Sequence, residues 1–428
     1  MPAIASVSAR QVLDCLGRPI LEVDVVTDTG HRGRGAAPTG QSVGMHEAVV
    51  LRDGDPEHYG GRGVHRAAEN VTRVIGPALV GRDVAEQRAI DTVMLELDGS
   101  ERKARLGGNA LYSTSIACLR AAAAAAGRPV YEHLARGPLT TLPVPTFNIV
   151  NGGRSGRLVQ AFNEFILVPS GATTVAEAVE IGVVVFERLA AVIERWTDAP
   201  AGVAPSYGYR APSSDPRVVL ELMREAADEC GMADLVTFAL DCASSEMYDP
   251  VDDTYELDGR RVRRDELIET TRDLVDDFGL LFVEDLLDEN DWDGFVEAKR
   301  TLGATLVLGD DLVVTDVARL ERAVALDAVD GFLLKPNQVG TITEALDTFD
   351  LASRHGLVTV PSGRSGGVVD DIVMDLSLGL QVPFQKNGAP RSGERIEKLN
   401  FLLRAADAVP SARLADLGAL RRSRAALR

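Results

Sequence analysis

Lysine is the scarce residue of this chain: five in 428 residues, against forty arginines. Lysine is kept sparingly where a strongly basic group is usually arginine, and unlike arginine a buried lysine can be tuned to act as a base. Cysteine is scarce too. Cys15, Cys118, Cys230 and Cys242 are scattered and form no CxxC pair, which fits a reducing cytoplasm. No run of 18 apolar residues occurs, and the opening MPAIASVSARQ lacks a basic stretch followed by an apolar one. Neither a membrane span nor a secretory signal is expected. Basic residues are outnumbered, and a net charge of −19 argues against nucleic acid as a partner.

What is present is a regular series of apolar runs, each closed by a polar group. LVTFALD ends at Asp241, LLFVED at Glu284 and Asp285, TLVLGDD at Asp310, GFLLK at Lys335, LVTVPS at Ser362 and QVPFQK at Lys386. From Glu284 the intervals are 26, 25, 27 and 24 residues, about one strand plus one helix. Repeated units of that length predict an α/β fold with a (β/α)8-type barrel, whose chemistry lies at the C-terminal ends of the strands. The series is expected to begin with TFNIVNGG (146–153) and EFILVPSG (164–171). Residues 1–136 lack it: alternation around 20–27 and 30–37 predicts antiparallel strands, and CLRAAAAAA a helix that stops at Gly127. The Pro- and Gly-bearing segment GPLTTLPVP marks the boundary, giving an α+β N-terminal domain over 1–136 and a barrel with a C-terminal tail over 137–428.

Asp241, Glu284 and Asp310 at matched strand ends suit a hard divalent cation such as Mg2+, which takes oxygen ligands. Taken singly, each is equally a loop carboxylate capping the next helix. Lys335 then reads as a general base, its proton loosened by the metal and neighbouring cations, or as a salt-bridged barrel lysine.

The chain resembles the enolase family from end to end. The resemblance is carried by APTGQSVGMHEAVVLRDGD (37–55), NIVNGG (148–153), NEF (163–165), ALDCASSEMY (239–248), VEDLLDENDWDGF (283–295), LGDDLVVT (308–315), LLKPNQVGT (333–341), SGRSG (362–366) and KNGAPRSGER (386–395). It implies that Asp241, Glu284 and Asp310 hold a first Mg2+ and that Ser42 contributes to a second. It also implies that Lys335 takes the C2 proton of a phosphoglycerate-like acid, that Lys386 neutralises its carboxylate, and that Arg364 and Ser365 bind phosphate. At least a homodimer is implied as well. A lysine base with Mg2+ is the known arrangement of that superfamily.

Three positions depart from the family pattern. The loop expected to carry a glutamate general acid reads VAPSYGYRAP (203–212), with Pro205 and Ser206 where the acidic pair belongs and Arg210 inserted. The Glu-His expected after NGG is Arg154-Ser155, with Arg157 close behind, and the histidine expected two residues before Ser365 is Gly363. Glu164 survives. Losing a general acid costs about 10²–10⁴ in rate, which is serious for departing hydroxide and slight for departing phosphate. From this follows an expectation of chemistry without dehydration. A resemblance to enolase-like proteins of phosphonate pathways, carboxyphosphonoenolpyruvate synthase among them, implies the particular reaction: a phosphonoformyl group passes from CMP-phosphonoformate to a phosphoglycerate, Lys335 removes the C2 proton and phosphate leaves C3. Arg154, Arg157 and Arg210 would suit an extra phosphate or phosphonate or are ordinary surface charge, and Ser155 and Ser206 are expected beside Arg154 and Arg210 as substrate contacts. The alternatives are a phosphopyruvate hydratase with an atypical acid (Glu164 or a metal-bound water) and a non-catalytic phosphoglycerate-binding paralogue.

Overall fold

The alternating apolar residues near the N-terminus form an antiparallel meander of β1 (Ile4–Leu13), β2 (Pro19–Thr27) and β3 (Arg32–Ala36). This is a computed structural model, and it describes residues 2–40, 44–155 and 158–420. The alanine-rich segment is helix α1 (Gly108–Ala125), which lies against β2 and β3. It approaches closely because Gly33 and Gly35 present no side chain: a Cβ at either would overlap the carbonyl oxygen of Ala117 or Ser113. Leu21, Val23, Val25, Ala110, Leu111 and Ala117 are buried in the core so formed. Each large apolar side chain buried there is worth about 1.5–3 kcal/mol over exposure.

The barrel has eight strands: β4 (Val144–Ser155), β5 (Leu158–Val168), β6 (Thr237–Asp241), β7 (Phe282–Glu284), β8 (Leu306–Gly309), β9 (Gly331–Leu334), β10 (Val358–Pro361) and β11 (Phe384–Lys386). Neighbours run in the order β10-β9-β8-β7-β6-β5-β4-β11, and a parallel bridge between Ser362 and Lys386 closes the ring. One feature differs from the even βα repeat read in the sequence. β5 is antiparallel to both β4 and β6, so the first two strands form a hairpin rather than two βα units. Their starts are too close in sequence to hold a crossover helix between them. The later strands pair in parallel.

Side chains fill the lumen, among them Ile166, Phe282, Leu308, Leu333, Val360 and Phe384, with the Phe282 and Phe384 rings stacked at 5.5 Å. Outside, helices start where a side chain caps them. Thr174, Asp291, Asp316 and Thr341 accept from Glu177, Gly294, Arg319 and Glu344 backbone N–H groups. Two further helices matter for the site: α2 (Val373–Gly379) and α3 (Gly393–Ala408). Among the described residues no helix is long and apolar enough to cross a membrane, and all four cysteines are unpaired.

Candidate active site

A cavity of about 280 Å³ opens at the C-terminal ends of the barrel strands. Register brings the polar strand ends together. Glu284 pairs with Asp241 between β7 and β6, and Asp241 pairs with Glu164 between β6 and β5. Asp310 follows β8, Lys335 follows β9 and Lys386 ends β11. Lys386 Nζ donates to Asp241 Oδ2 at 3.0 Å and Glu284 Oε2 at 2.6 Å, and lies 3.1 Å from Glu164 Oε2. Lys335 Nζ is paired with Asp310, whose other oxygen accepts from Gln338 Nε2 at 2.8 Å. Asn148 Nδ2 holds Glu164 Oε1 at 2.6 Å.

Lys335 and Lys386 thus stand in a cluster of carboxylates that includes Glu164, Asp241, Glu284, Asp285, Asp310 and Asp311. Burial resists the charge of Lys386, but Asp241, Glu164 and Glu284 outweigh it and hold the ammonium well above lysine's usual range. Burial likewise opposes Lys335, and Asp310 and Glu284 raise it on balance. The direction is opposite to the depressed value expected of a metal-flanked base, because Asp310 and Glu284 outweigh burial and the repulsion of Arg364 and Lys386. Burial, then Asp241, pushes the Glu284 carboxyl well up. For Glu164, burial is outweighed by Lys386, which keeps it a carboxylate.

The excess of negative charge is what a divalent cation relieves, and Glu284 Oε1 is buried with no hydrogen-bond partner. The oxygens that lie closest together belong to Asp285, Asp310 and Asp311, all within 4.8 Å of one another, a different trio from that expected. Asp285, however, spends both oxygens on the backbone N–H groups of Asp310 (2.9 Å) and Asp311 (2.7 Å). It braces the turn, as Asp310 is itself held by Lys335 and Gln338, while Glu284 keeps one oxygen unused.

Ser365 lines the cavity, with its Oγ buried and unpartnered. Arg364 also lines it, but its guanidinium meets Glu47 in a two-pronged pair, 3.1 Å on each side. Ser206 is at the wall, its carbonyl held by Arg395 Nη1. Arg210 is exposed and does not line the cavity: its strand segment pairs with Val150 and Asn151, and its Nε donates outward to Val203 O at 3.1 Å. The substrate contact expected of Arg210 has no support in this position. Ser42 and Arg157 lie outside the described residues, as do the side chains of Arg154 and Ser155.

Sequence reasoning passed over Asn148, Gln338, Arg395 and Lys398, all of which face the cavity or hold a residue that does. For Lys398 the scarcity of lysine was itself a usable signal.

The barrel, with carboxylates and lysines gathered at the C-terminal ends of its strands, has the layout of a barrel enzyme. Two family models match the chain: the enolase N-terminal domain over residues 4–134 and the enolase C-terminal TIM barrel domain over 139–416. The chain is 40% identical to the enolase of Methanocaldococcus jannaschii over 94% of each chain. It is 40% identical to that of Methanopyrus kandleri, over 94% of this chain and 95% of the relative. The enolase of Methanosarcina acetivorans is 38% identical over 94% and 93%. The chain belongs to the enolase family. These relatives overturn the expectation of a phosphonoformyl transferase acting on a CMP-activated phosphonate. Full-length similarity of this degree runs to proteins named for enolase itself.

Proposed function

We propose that the chain is a cytoplasmic, Mg2+-dependent phosphopyruvate hydratase, removing water from 2-phosphoglycerate to give phosphoenolpyruvate, and that it works as a homo-oligomer. The observation that carries the reading is the convergence of Lys335 and Lys386 with buried carboxylates on adjoining strand ends. Asp241, Glu284 and Asp310 would hold Mg2+. When bound, it would supply positive charge against the substrate carboxylate, and it would take over the neutralising task that the lysines perform here.

Lys335, buried and pointed at the carboxylate cluster, removes the proton from C2. Lys386 sets its ammonium against the substrate carboxylate as negative charge builds there. Ser365 Oγ, with no partner of its own, donates to phosphate, and Arg364 adds its charge from beside Glu47. Unpaired Cys15, Cys118, Cys230 and Cys242 support a reducing compartment.

Phosphoenolpyruvate and C2 hydrogen exchange, followed together by NMR in deuterated buffer with 2-phosphoglycerate and Mg2+, test the reading. Formation of phosphoenolpyruvate is expected. Exchange without it would show that proton abstraction survives and dehydration does not.

A further inference from the structure

Dehydration needs a proton for the departing hydroxide, and the loop at 203–212 offers no acid for it. Glu164 is poorly free to serve, because Asn148 and Lys386 occupy its two oxygens. Glu246 also lines the cavity but is an exposed side chain, and Asp311 sits within the carboxylate cluster.

Lys398 is placed differently. It projects from α3 to the cavity wall and is only 4% exposed. Its route to the cavity passes Gly363: a Cβ built there would lie 2.6 Å from Lys398 Nζ, nearer than any other atom. A side chain at 363 and the Lys398 amine compete for one space, and this chain gives it to the amine. Lys103 is bound to Glu344 and Lys299 to Asp327 and Asp330, while Lys335 and Lys386 are paired with site carboxylates. Among the described residues Lys398 alone of the five lysines makes no hydrogen bond or ion pair.

We propose that Lys398 is the general acid of this site, delivering its proton to the hydroxide that leaves C3 through the space Gly363 leaves open. The proposal rests on the hydratase reading. Lys335 takes the C2 proton, and the C–H electron pair becomes the C2–C3 double bond. The C3–O bond breaks with its electrons on oxygen, and an N–H proton of Lys398 completes the water. The enzyme is left with Lys335 charged and Lys398 neutral, and proton exchange with solvent restores both. Arginine at 398 would hold its proton too tightly to serve. The surroundings favour release: burial pushes the Lys398 ammonium down and Arg395 helps, against opposition from Asp371, Glu394 and Cys15. Behind it Asp371 keeps a buried, unpartnered Oδ2.

The test compares wild type, Lys398→Met, Lys398→Arg and Gly363→Ala with 2-phosphoglycerate and Mg2+, reading phosphoenolpyruvate formation, C2 exchange and the pH dependence of turnover. Lys398→Met is expected to lower phosphoenolpyruvate formation by about 10²–10⁴ and C2 exchange far less, and to abolish the alkaline fall in turnover. Lys398→Arg is expected to be as impaired, although it keeps the charge. Gly363→Ala, whose methyl displaces the amine, is expected to slow dehydration without touching residue 398, and it carries the test if the Lys398 variants fail to fold. Near-wild-type dehydration in Lys398→Met would overturn the proposal and move the acid to Glu246 or Asp311. Full activity in Lys398→Arg would overturn it in favour of a purely electrostatic role. If wild type exchanges C2 hydrogen but makes no phosphoenolpyruvate, the hydratase reading falls and the acid with it. Wild-type product together with an active Lys398→Met sinks the acid alone.

Discussion

Charge is handled in two ways on the two sides of this pocket. On the strand side, every buried lysine meets a carboxylate from a neighbouring strand, as Lys335 meets Asp310 and Lys386 meets Asp241 and Glu284. On the side built from loops and the two late helices some buried pairs occur, Arg364 with Glu47 and Arg395 with Glu394, but Lys398, Asp371 Oδ2 and Ser365 Oγ make no hydrogen bond among the described residues. Pairing fixed by strand register is rigid and holds protonation states in place. Unanswered buried groups are costly to keep, and they are the ones poised to meet a ligand or to change charge.

The largest expected effect strikes the strand side. Lys335→Ala removes the base, and both C2 exchange and phosphoenolpyruvate formation should fall by about 10²–10⁴ or more, as read by NMR. A variant that still exchanges C2 hydrogen would place the base elsewhere and erase the contrast, since Lys335 would then be only a charge partner of Asp310. Next comes Glu284→Gln, which keeps the shape of the side chain and deletes its charge. Mn2+ binding followed by electron paramagnetic resonance should weaken by more than the roughly 10–100-fold typical of losing an outer-shell partner. Unchanged binding would shift the metal to Asp285, Asp310 and Asp311.

The loop side should yield more gently. Arg395 holds Ser206 O, lies 5.1 Å over the Tyr207 ring and packs against Gly388, so it pins two cavity loops together. Charged hydrogen bonds of this kind are worth about 1.5–3 kcal/mol. Arg395→Met should therefore slow turnover by about tenfold while leaving Mn2+ affinity as in wild type. Loss of metal binding in that variant would show that the two sides are not independent.

The same division explains what could be read in advance. Strand ends were legible because an apolar run has a fixed length and its closing residue a fixed destination: Asp241, Asp310, Lys335 and Lys386 line one cavity, and Glu284 is bonded to Lys386 beside it. The reversed strand Leu158–Val168 was not, since periodicity reports that a strand exists and not its direction. Arg210 was misjudged because only the pairing of Tyr209–Arg210 with Val150–Asn151 reveals that it faces outward. Lys398 went unnoticed for a related reason. Its place in the cavity depends on a helix packing behind a glycine more than thirty residues earlier, and no local pattern announces that. The transferase expectation shares this origin: it weighed the acid that was missing from one loop without the side chains that tertiary packing brings to the same space.

The smallest expected effect leaves catalysis alone and concerns stability. Asp375 lies on α2, behind the loop side, and burial pushes its carboxyl up to about 7 against the opposing pull of Arg120. Its Oδ1 accepts the Tyr131 N–H at 3.1 Å, a bond that an amide oxygen can keep. Because the folded value lies above the unfolded one of about 3.9, the folded chain holds the extra proton between the two. Stability should then be greatest at the acid end of that window, fall as pH rises from about 4 to about 7, and level off above. Asp375→Asn cannot ionise and should remove the slope. Urea unfolding at about pH 8 should show the variant more stable than wild type by on the order of 2 kcal/mol, within a ceiling near 4 kcal/mol set by about 1.4 per pH unit, and the gap should close near pH 4. A variant less stable at both pH values would mean that Asp375 is ionised and answered by Arg120. The loop side would then hold its charges in pairs as the strand side does.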